Sequence, residues 1–81
     1  MERPLIETLG QRLRIGRLAK GWTLAQMARE LECTPTIVSY WENGHKYPNV
    51  VHLAMAARAL GLTMDYLWFG ADEPAIARLG H

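Results

Sequence analysis

The stretch that decides the fold is Thr23–Gly44, with the sequence TLAQMARELECTPTIVSYWENG. It contains two short helical patterns, and the first of them opens on Thr23, which is followed three residues later by Gln26. This spacing fits a capping box, in which the two side chains satisfy free N–H groups at the start of a helix. We therefore predict a helix over residues 24–31.

The second pattern opens on Thr34 and Pro35 and closes at Gly44. Thr is a good N-cap, and Pro suits the first helical position because an N–H there would have no partner within the helix. Gly is the usual residue just past a helix end, where φ turns positive, so this helix is predicted over residues 35–43. Only two residues separate the first helix from Thr34, and a link so short must cross the two helices steeply.

The second helix has two different faces. Val38 and Trp41 lie three residues apart and can be buried together. The opposite side carries a polar stripe whose length suits the reading of a few base pairs in the DNA major groove. An ordinary solvated surface on a small helical bundle has the same pattern, so the stripe alone leaves both interpretations open. The stripe consists of Thr36, Ser39, Tyr40 and Asn43.

This stretch resembles the helix-turn-helix of the Cro/cI-type (XRE) repressor family. The resemblance is carried by Ala28 inside the first helix, the run TPTIVSYWENG, and Pro48 before the next helix. It extends over about residues 9–70, which is most of the chain. It implies an all-α, compact five-helix bundle of the lambda-repressor-like DNA-binding type, in which helices two and three form the helix-turn-helix.

Length and composition fit one small domain. The 81 residues allow a DNA-binding domain at residues 1–70 and a short C-terminal tail at residues 71–81, and no effector or oligomerisation domain is expected. No apolar run approaches the roughly 20 residues of a membrane span. The N-terminus MERPLIE lacks the layout of a signal peptide, so a cytoplasmic protein without membrane contact is expected.

Charge and side-chain chemistry argue against several classes of protein. The net charge of +1 is too small for a protein that binds nucleic acid by charge alone. Cys33 has no second Cys to pair with and is expected to be a packed small hydrophobe. His45, His52 and Cys33 lack the spacing of a zinc site, so neither a metal nor a cofactor is predicted. There is no nucleophile motif, phosphate loop or carboxylate pair, so an enzyme is not expected.

Three further helices are predicted from apolar periodicity and caps, over residues 5–20, 50–60 and about 64–68. Gly16, inside the first of these, costs about 1 kcal/mol against Ala in a helix interior. Close packing of Trp22 or Trp41 would explain that glycine, and a tolerated weak spot is the alternative. The buried line of the fourth helix is expected to begin at Val50.

An ion pair between Arg17 and Glu42 is implied by the resemblance, because family members often pair an Arg and a Glu at these positions. Arg17 continues the inner line of the first helix, where a charge needs a partner. The pair would orient the first helix against the end of the recognition helix. The alternative is that both side chains are solvated surface charges.

The most specific hypothesis is a transcriptional regulator that binds double-stranded DNA with the helix over residues 35–43 in the major groove. The residues expected to contact bases are Thr34, Pro35, Thr36, Ser39 and Tyr40. The residues expected to contact phosphates are Arg14, Asn43, His45 and Lys46.

One such domain buries too little surface to be specific alone, so a repressor acting as a homodimer on a palindromic operator is expected. The candidate dimer interface is Tyr66, Trp68 and Phe69, and their alternative role is to cover the core.

A surface rich in Trp and Tyr and a small net charge support an alternative, and two departures from the family pattern imply either a modest DNA affinity that depends on shape and water or another partner for the helix. The polar stripe contains no Arg, Lys or Gln, and Leu24 replaces a Gln that often binds a phosphate in the family. The alternative is a protein-interaction module on the same scaffold, an antitoxin or antirepressor, with DNA binding secondary. Salt separates the two hypotheses, because DNA affinity falls steeply with salt whereas aromatic contacts to a protein do not respond in that way.

Overall fold

The computed structural model describes residues 8–70, and within that range it contains five α-helices and no strand. The helices are α1 (Leu9–Ala19), α2 (Leu24–Glu30), α3 (Pro35–Glu42), α4 (Val50–Leu60) and α5 (Met64–Phe69). The predicted all-α, five-helix fold is confirmed. The predicted tail at residues 71–81 lies outside the described residues.

Every helix begins at a polar cap in extended conformation whose side chain accepts a hydrogen bond from a backbone N–H of the first turn. These caps are Thr8, Thr23, Thr34, Asn49 and Thr63. The predicted start of α1 at residue 5 was wrong, because Thr8 forms a capping box with Gln11 and α1 begins at Leu9. All other helix boundaries lie within one residue of the prediction.

The turn between α2 and α3 is made by Glu32, which has a φ of 56°. Among residues 8–70 it is the one non-glycine residue with a positive φ. This conformation lets the N–H of Cys33 donate to the carbonyl of Ala28 at 2.9 Å, which closes the end of α2 and starts the steep crossing to α3.

The core lies where all five helices meet. Its completely buried large side chains are Leu13, Met27, Leu31, Val38 and Leu67. Val50, predicted to begin the buried line of α4, is instead 68% exposed. It is the first residue of α4, and the buried face of that helix begins one turn later at Leu53. The apolar sequence pattern of α4 therefore begins one turn before the part of the helix that the core covers.

Close helix packing occurs at two glycines of α1. A Cβ on Gly10 would lie 2.5 Å from the carbonyl oxygen of Glu42, so the start of α1 packs directly on the backbone at the end of α3. The expected contact of Gly16 with Trp22 or Trp41 was wrong. Gly16 instead faces the side chains of Leu60 and Leu62.

Arg12 ties α1 to α5. Its side chain is buried, and its Nε and Nη2 donate to the carbonyls of Leu67 and Trp68 at 2.9 and 3.1 Å. A cation there complements the unpaired carbonyls and the negative end of the α5 dipole. Gly70 leaves room for this guanidinium, because a Cβ on it would lie 2.7 Å from Arg12 Nη1.

The two longest helices in the described part of the chain have 11 residues each, and none is long and apolar enough to cross a lipid bilayer.

Candidate nucleic-acid interface

The helix α3 has one buried face and one exposed face, as its sequence pattern predicts. Val38 and Trp41 are buried, whereas Thr36 and Tyr40 are exposed and Ser39 is half-buried. The helix therefore presents one apolar side to α1 and α2 and one polar side to solvent. This polar side is the surface from which a helix can reach base edges.

The N-terminal end of α3 is exposed and partly occupied by its own cap. Thr34, Pro35 and Thr36 are all solvent-exposed. The hydroxyl oxygen of Thr34 accepts a hydrogen bond from the N–H of Ile37 at 3.2 Å. Thr34 therefore caps the start of the helix. The hydroxyl of Thr36 takes no part in that cap.

Asn43 is held by its own helix. Its Nδ2 donates to the carbonyl of Ser39 at 3.0 Å and lies 3.2 Å from the Ser39 hydroxyl. Two predicted DNA-contacting residues, one for bases and one for phosphates, are thus linked to each other at the C-terminal end of α3.

Arg14 reaches the same surface from α1. It is exposed, and it lines one open cleft together with Asn43 and Gly44. The cleft is also lined by Gln11 and by Tyr47 from the α3–α4 loop. Predicted phosphate contacts from two elements, α1 and the end of α3, therefore lie on one side of the molecule.

The loop after α3 folds back onto that helix. Gly44 has a φ of 81°, which reverses the chain and brings His45 and Lys46 beside Tyr40. The rings of His45 and Tyr40 are 5.9 Å apart in an edge-on arrangement, and Lys46 Nζ lies 5.8 Å from the Tyr40 ring centre. Three predicted site residues therefore form one cluster.

The ion pair implied by the resemblance is present. Arg17 Nε lies 2.7 Å from Glu42 Oε2, and Arg17 Nη2 lies 3.0 Å from Glu42 Oε1. Arg17 Nη1 also donates to the carbonyl of Trp22 at 2.9 Å. Both side chains are buried, so this two-bond pair fixes α1 against the last turn of the recognition helix.

The predicted aromatic group is divided by the structure. Tyr66 is half-buried and lines a groove with Ile15 and Leu62, and Trp68 is not part of that lining. Trp68 contacts Tyr47 instead, with ring centres 5.7 Å apart. Trp68 also lines a hollow with Val50, so three exposed apolar residues adjoin one another here. Together with Phe69, which is exposed and follows Trp68 in the chain, they make up what we call the aromatic patch, which consists of Tyr47, Val50, Trp68 and Phe69.

Sequence reasoning missed two members of the aromatic patch. The sequence analysis predicts no role for Tyr47, and it predicts that Val50 is buried. A bulky aromatic residue next to Pro48 in an otherwise polar loop was the available signal.

Cys33 is half-buried beside the core, and burial raises the pKa of its thiol above the usual 9.0. A raised pKa keeps the thiol protonated and unreactive near neutral pH, in agreement with the expected packing role. Among residues 8–70 no three His, Cys, Asp or Glu side chains are grouped as metal ligands would be.

Comparison with known proteins agrees with this geometry. The family model described as helix-turn-helix matches residues 13–67, from the middle of α1 to the middle of α5. The chain belongs to the Cro/cI-type helix-turn-helix family.

Among relatives in this helix-turn-helix family, the HTH-type transcriptional activator BcrR of Enterococcus faecalis is 36% identical over 67 residues. That match covers 83% of this chain and 31% of BcrR. Multiprotein-bridging factor 1 of Schizosaccharomyces pombe is 32% identical over 57 residues, covering 70% of this chain and 38% of that protein. The chain thus spans about a third of the length of these relatives.

A solved structure of the P22 c2 repressor in complex with a synthetic operator superimposes with a TM-score of 0.78 at 26% identity. The match covers 80% of this chain and 98% of that chain. The helix arrangement described above is therefore that of a repressor domain solved in the presence of an operator.

Proposed function

We propose that this helix-turn-helix protein is a transcriptional regulator that binds a specific double-stranded DNA sequence with α3 in the major groove. The observation that carries the proposal is the outward polar face of α3, with Thr36 and Tyr40 exposed on a helix whose other side is locked into the core. The likeness to the P22 c2 repressor, solved with a synthetic operator, supports it.

In this proposal the base contacts come from the N-terminal half of α3. The methyl group of Thr36 and the ring of Pro35 pack on thymine methyls, and the Thr36 hydroxyl bonds a base edge. Thr34 contributes through the helix start that it caps, while Ser39 and Tyr40 lie one turn further along. Because these side chains are short or uncharged, they leave part of the specificity to DNA shape and bridging water.

The phosphate contacts come from two elements next to the reading helix, α1 and the loop after α3. Lys46 lies in the loop after α3, and Arg14 lies on α1 beside Asn43. Cations from two separate elements can each bind a phosphate and together set the register of the helix. His45 adds a polar contact next to Lys46.

The proposal includes a homodimer on a palindromic operator, with residues 1–70 as the DNA-binding domain and residues 71–81 as a tail. A single small domain buries about 600–1,000 Å² against DNA, and two symmetry-related copies double the contact. The aromatic patch is the surface that we assign to the dimer. Occupying an operator and blocking polymerase in the cytoplasm is the simplest mode of action, which makes the protein a repressor.

The test is fluorescence anisotropy of the purified chain against its own upstream DNA and a scrambled duplex at two salt concentrations. Tighter, salt-sensitive binding to the upstream fragment is expected, because binding that neutralises phosphates weakens with salt. Thr36→Ala should lower the preference for the upstream fragment, whereas Lys46→Ala should weaken binding to both duplexes equally and flatten the salt slope. Equal, weak binding to both duplexes by the unmodified chain would overturn the proposal.

A second function is favoured by the aromatic patch. A protein-interaction module, such as an antitoxin or antirepressor, would use Trp68 and Phe69 to hold a protein partner, and one relative carries the name multiprotein-bridging factor. If upstream DNA is not preferred, a pull-down with the unmodified chain and with Phe69→Ser as the matched control tests this function. A partner that is lost with Phe69→Ser supports it.

A further inference from the structure

We infer that Tyr40 is a positioning residue for the phosphate contact, holding Lys46 where it meets the DNA backbone, in addition to any contact with bases. The inference rests on the proposed DNA-binding function and deepens it. It makes the base-reading helix and the phosphate-binding loop one unit, joined by backbone hydrogen bonds and by the Tyr40 side chain.

The backbone of the loop is anchored to Tyr40. The N–H of His45 donates to the carbonyl of Tyr40 at 2.8 Å, and the N–H of Lys46 lies 3.4 Å from the same oxygen. The N–H of Gly44 donates to the carbonyl of Trp41 at 3.2 Å. These are the paired hydrogen bonds of a Schellman motif, in which the glycine at positive φ turns the chain back over the last helical turn.

The Tyr40 side chain also contacts the loop. The His45 ring packs edge-on against it at an interplanar angle of 84°, which is the side-chain contact that often accompanies a Schellman motif. Lys46 Nζ lies 5.8 Å from the ring centre, within the range in which an aromatic face attracts a cation. Lys46 is therefore held by its backbone and by its charged end.

Restraint of Lys46 matters because a free lysine loses much rotamer freedom when it binds a phosphate. A side chain already held near its bound position gives up less of that freedom, and the binding site is preorganised. Tyr40 as a residue is 39% exposed, so it can hold the loop and still border the groove. Its removal should therefore act on affinity for every duplex, as a phosphate contact does, and less on sequence preference.

The first part of the test needs no DNA. In NMR spectra of the free protein, the side-chain protons of Lys46 should be shifted upfield by the Tyr40 ring current. Tyr40→Leu should abolish the shift and Tyr40→Phe, which keeps the ring, should retain it. Unshifted Lys46 signals in the unmodified protein would overturn the inference.

The second part uses the anisotropy assay with the upstream and scrambled duplexes. Tyr40→Leu should raise Kd for both duplexes by about two- to fivefold and flatten the salt slope, while Tyr40→Phe, which keeps the ring, should keep the salt slope of the unmodified protein. On the scrambled duplex, where specific base contacts do not contribute, Tyr40→Leu combined with Lys46→Ala should bind no more weakly than Lys46→Ala alone, because both changes remove one phosphate contact. Circular dichroism checks that each variant keeps its helices.

The matched control is Thr36→Ala combined with Lys46→Ala, whose effects should add because the two residues make separate contacts. Additive effects of Tyr40→Leu and Lys46→Ala on the scrambled duplex, or an equal flattening of the salt slope in Tyr40→Phe, would overturn the inference. If the unmodified protein binds neither duplex, the proposed function fails, and the phosphate role fails with it even where the NMR shift is present.

Discussion

The buried charges of Arg17 and Glu42 act on each other and on the backbone. Arg17 makes two hydrogen bonds to the carboxylate and one to the carbonyl of Trp22, so its removal leaves a buried acid and a carbonyl without these donors. Arg17→Met should therefore lower the free energy of unfolding by about 3–5 kcal/mol. Urea unfolding followed by tryptophan fluorescence measures this change.

The control for that prediction is Arg29→Met, which removes an exposed arginine of α2 and should change stability little. If Arg17→Met does not fold, the double change Arg17→Met with Glu42→Leu should restore folding, because paired buried charges can be replaced by apolar side chains. A single change that costs less than 1 kcal/mol would contradict the role assigned to the pair.

The two buried arginines differ in how far the sequence predicts them. Arg17 could be paired in advance because its partner is another charged side chain at a position that the family resemblance identifies. Arg12 binds the carbonyls of Leu67 and Trp68, more than 50 positions away in the chain. Carbonyls are present at every residue, so no residue type marks them and only the packed structure reveals the contact.

At the scale of the helices, we expect opposite effects on stability when each of the two glycines of α1 is replaced by Ala. Gly10→Ala should destabilise the fold by about 1–3 kcal/mol, because the added Cβ meets the rigid backbone of Glu42. Gly16→Ala should be close to neutral or stabilising, because its Cβ meets only the side-chain ends of Leu60 and Leu62 while Ala gains up to about 1 kcal/mol in helix propensity. Thermal unfolding by circular dichroism compares the two, and equal changes would contradict this packing.

Helix starts and helix burial were not equally predictable. The Thr and Asn caps are local signals, so four of the five starts were placed correctly from the sequence. The start of α1 was missed because apolar periodicity continues back to Leu5 and hides the cap at Thr8. Val50 was misassigned for a related reason. Periodicity identifies the face of a helix, whereas the neighbouring helices decide how much of that face is covered.

At the scale of the whole molecule, the polar side of α3 could be predicted from the sequence, whereas the aromatic patch could not. The reading helix could be located from one continuous stretch, because caps, turn and faces all lie within Thr23–Gly44. The patch joins Tyr47 to Trp68, which are distant in sequence, and it excludes Tyr66, which is a near neighbour. Such a surface arises from the crossing of α4 and α5, and composition alone does not reveal it.

The assignment of the aromatic patch to a dimer predicts a selective effect on DNA binding. Phe69 is 73% exposed at the end of α5, so Phe69→Ser should leave the fold intact while removing contact area between copies. Dimerisation should weaken at least tenfold in analytical ultracentrifugation. Affinity for a palindromic operator should fall with it, whereas affinity for an isolated half-site should not change, because a half-site engages one copy.

Leu18→Ser provides the matched control, because Leu18 is 53% exposed on α1 and belongs to neither the aromatic patch nor the DNA-facing side. It should alter neither dimerisation nor operator affinity. Equal losses in both variants would mean that exposed apolar area in general drives association. A loss of half-site affinity in Phe69→Ser would place Phe69 at the DNA surface, since one copy bound to one half-site has no second copy against which the patch can pack.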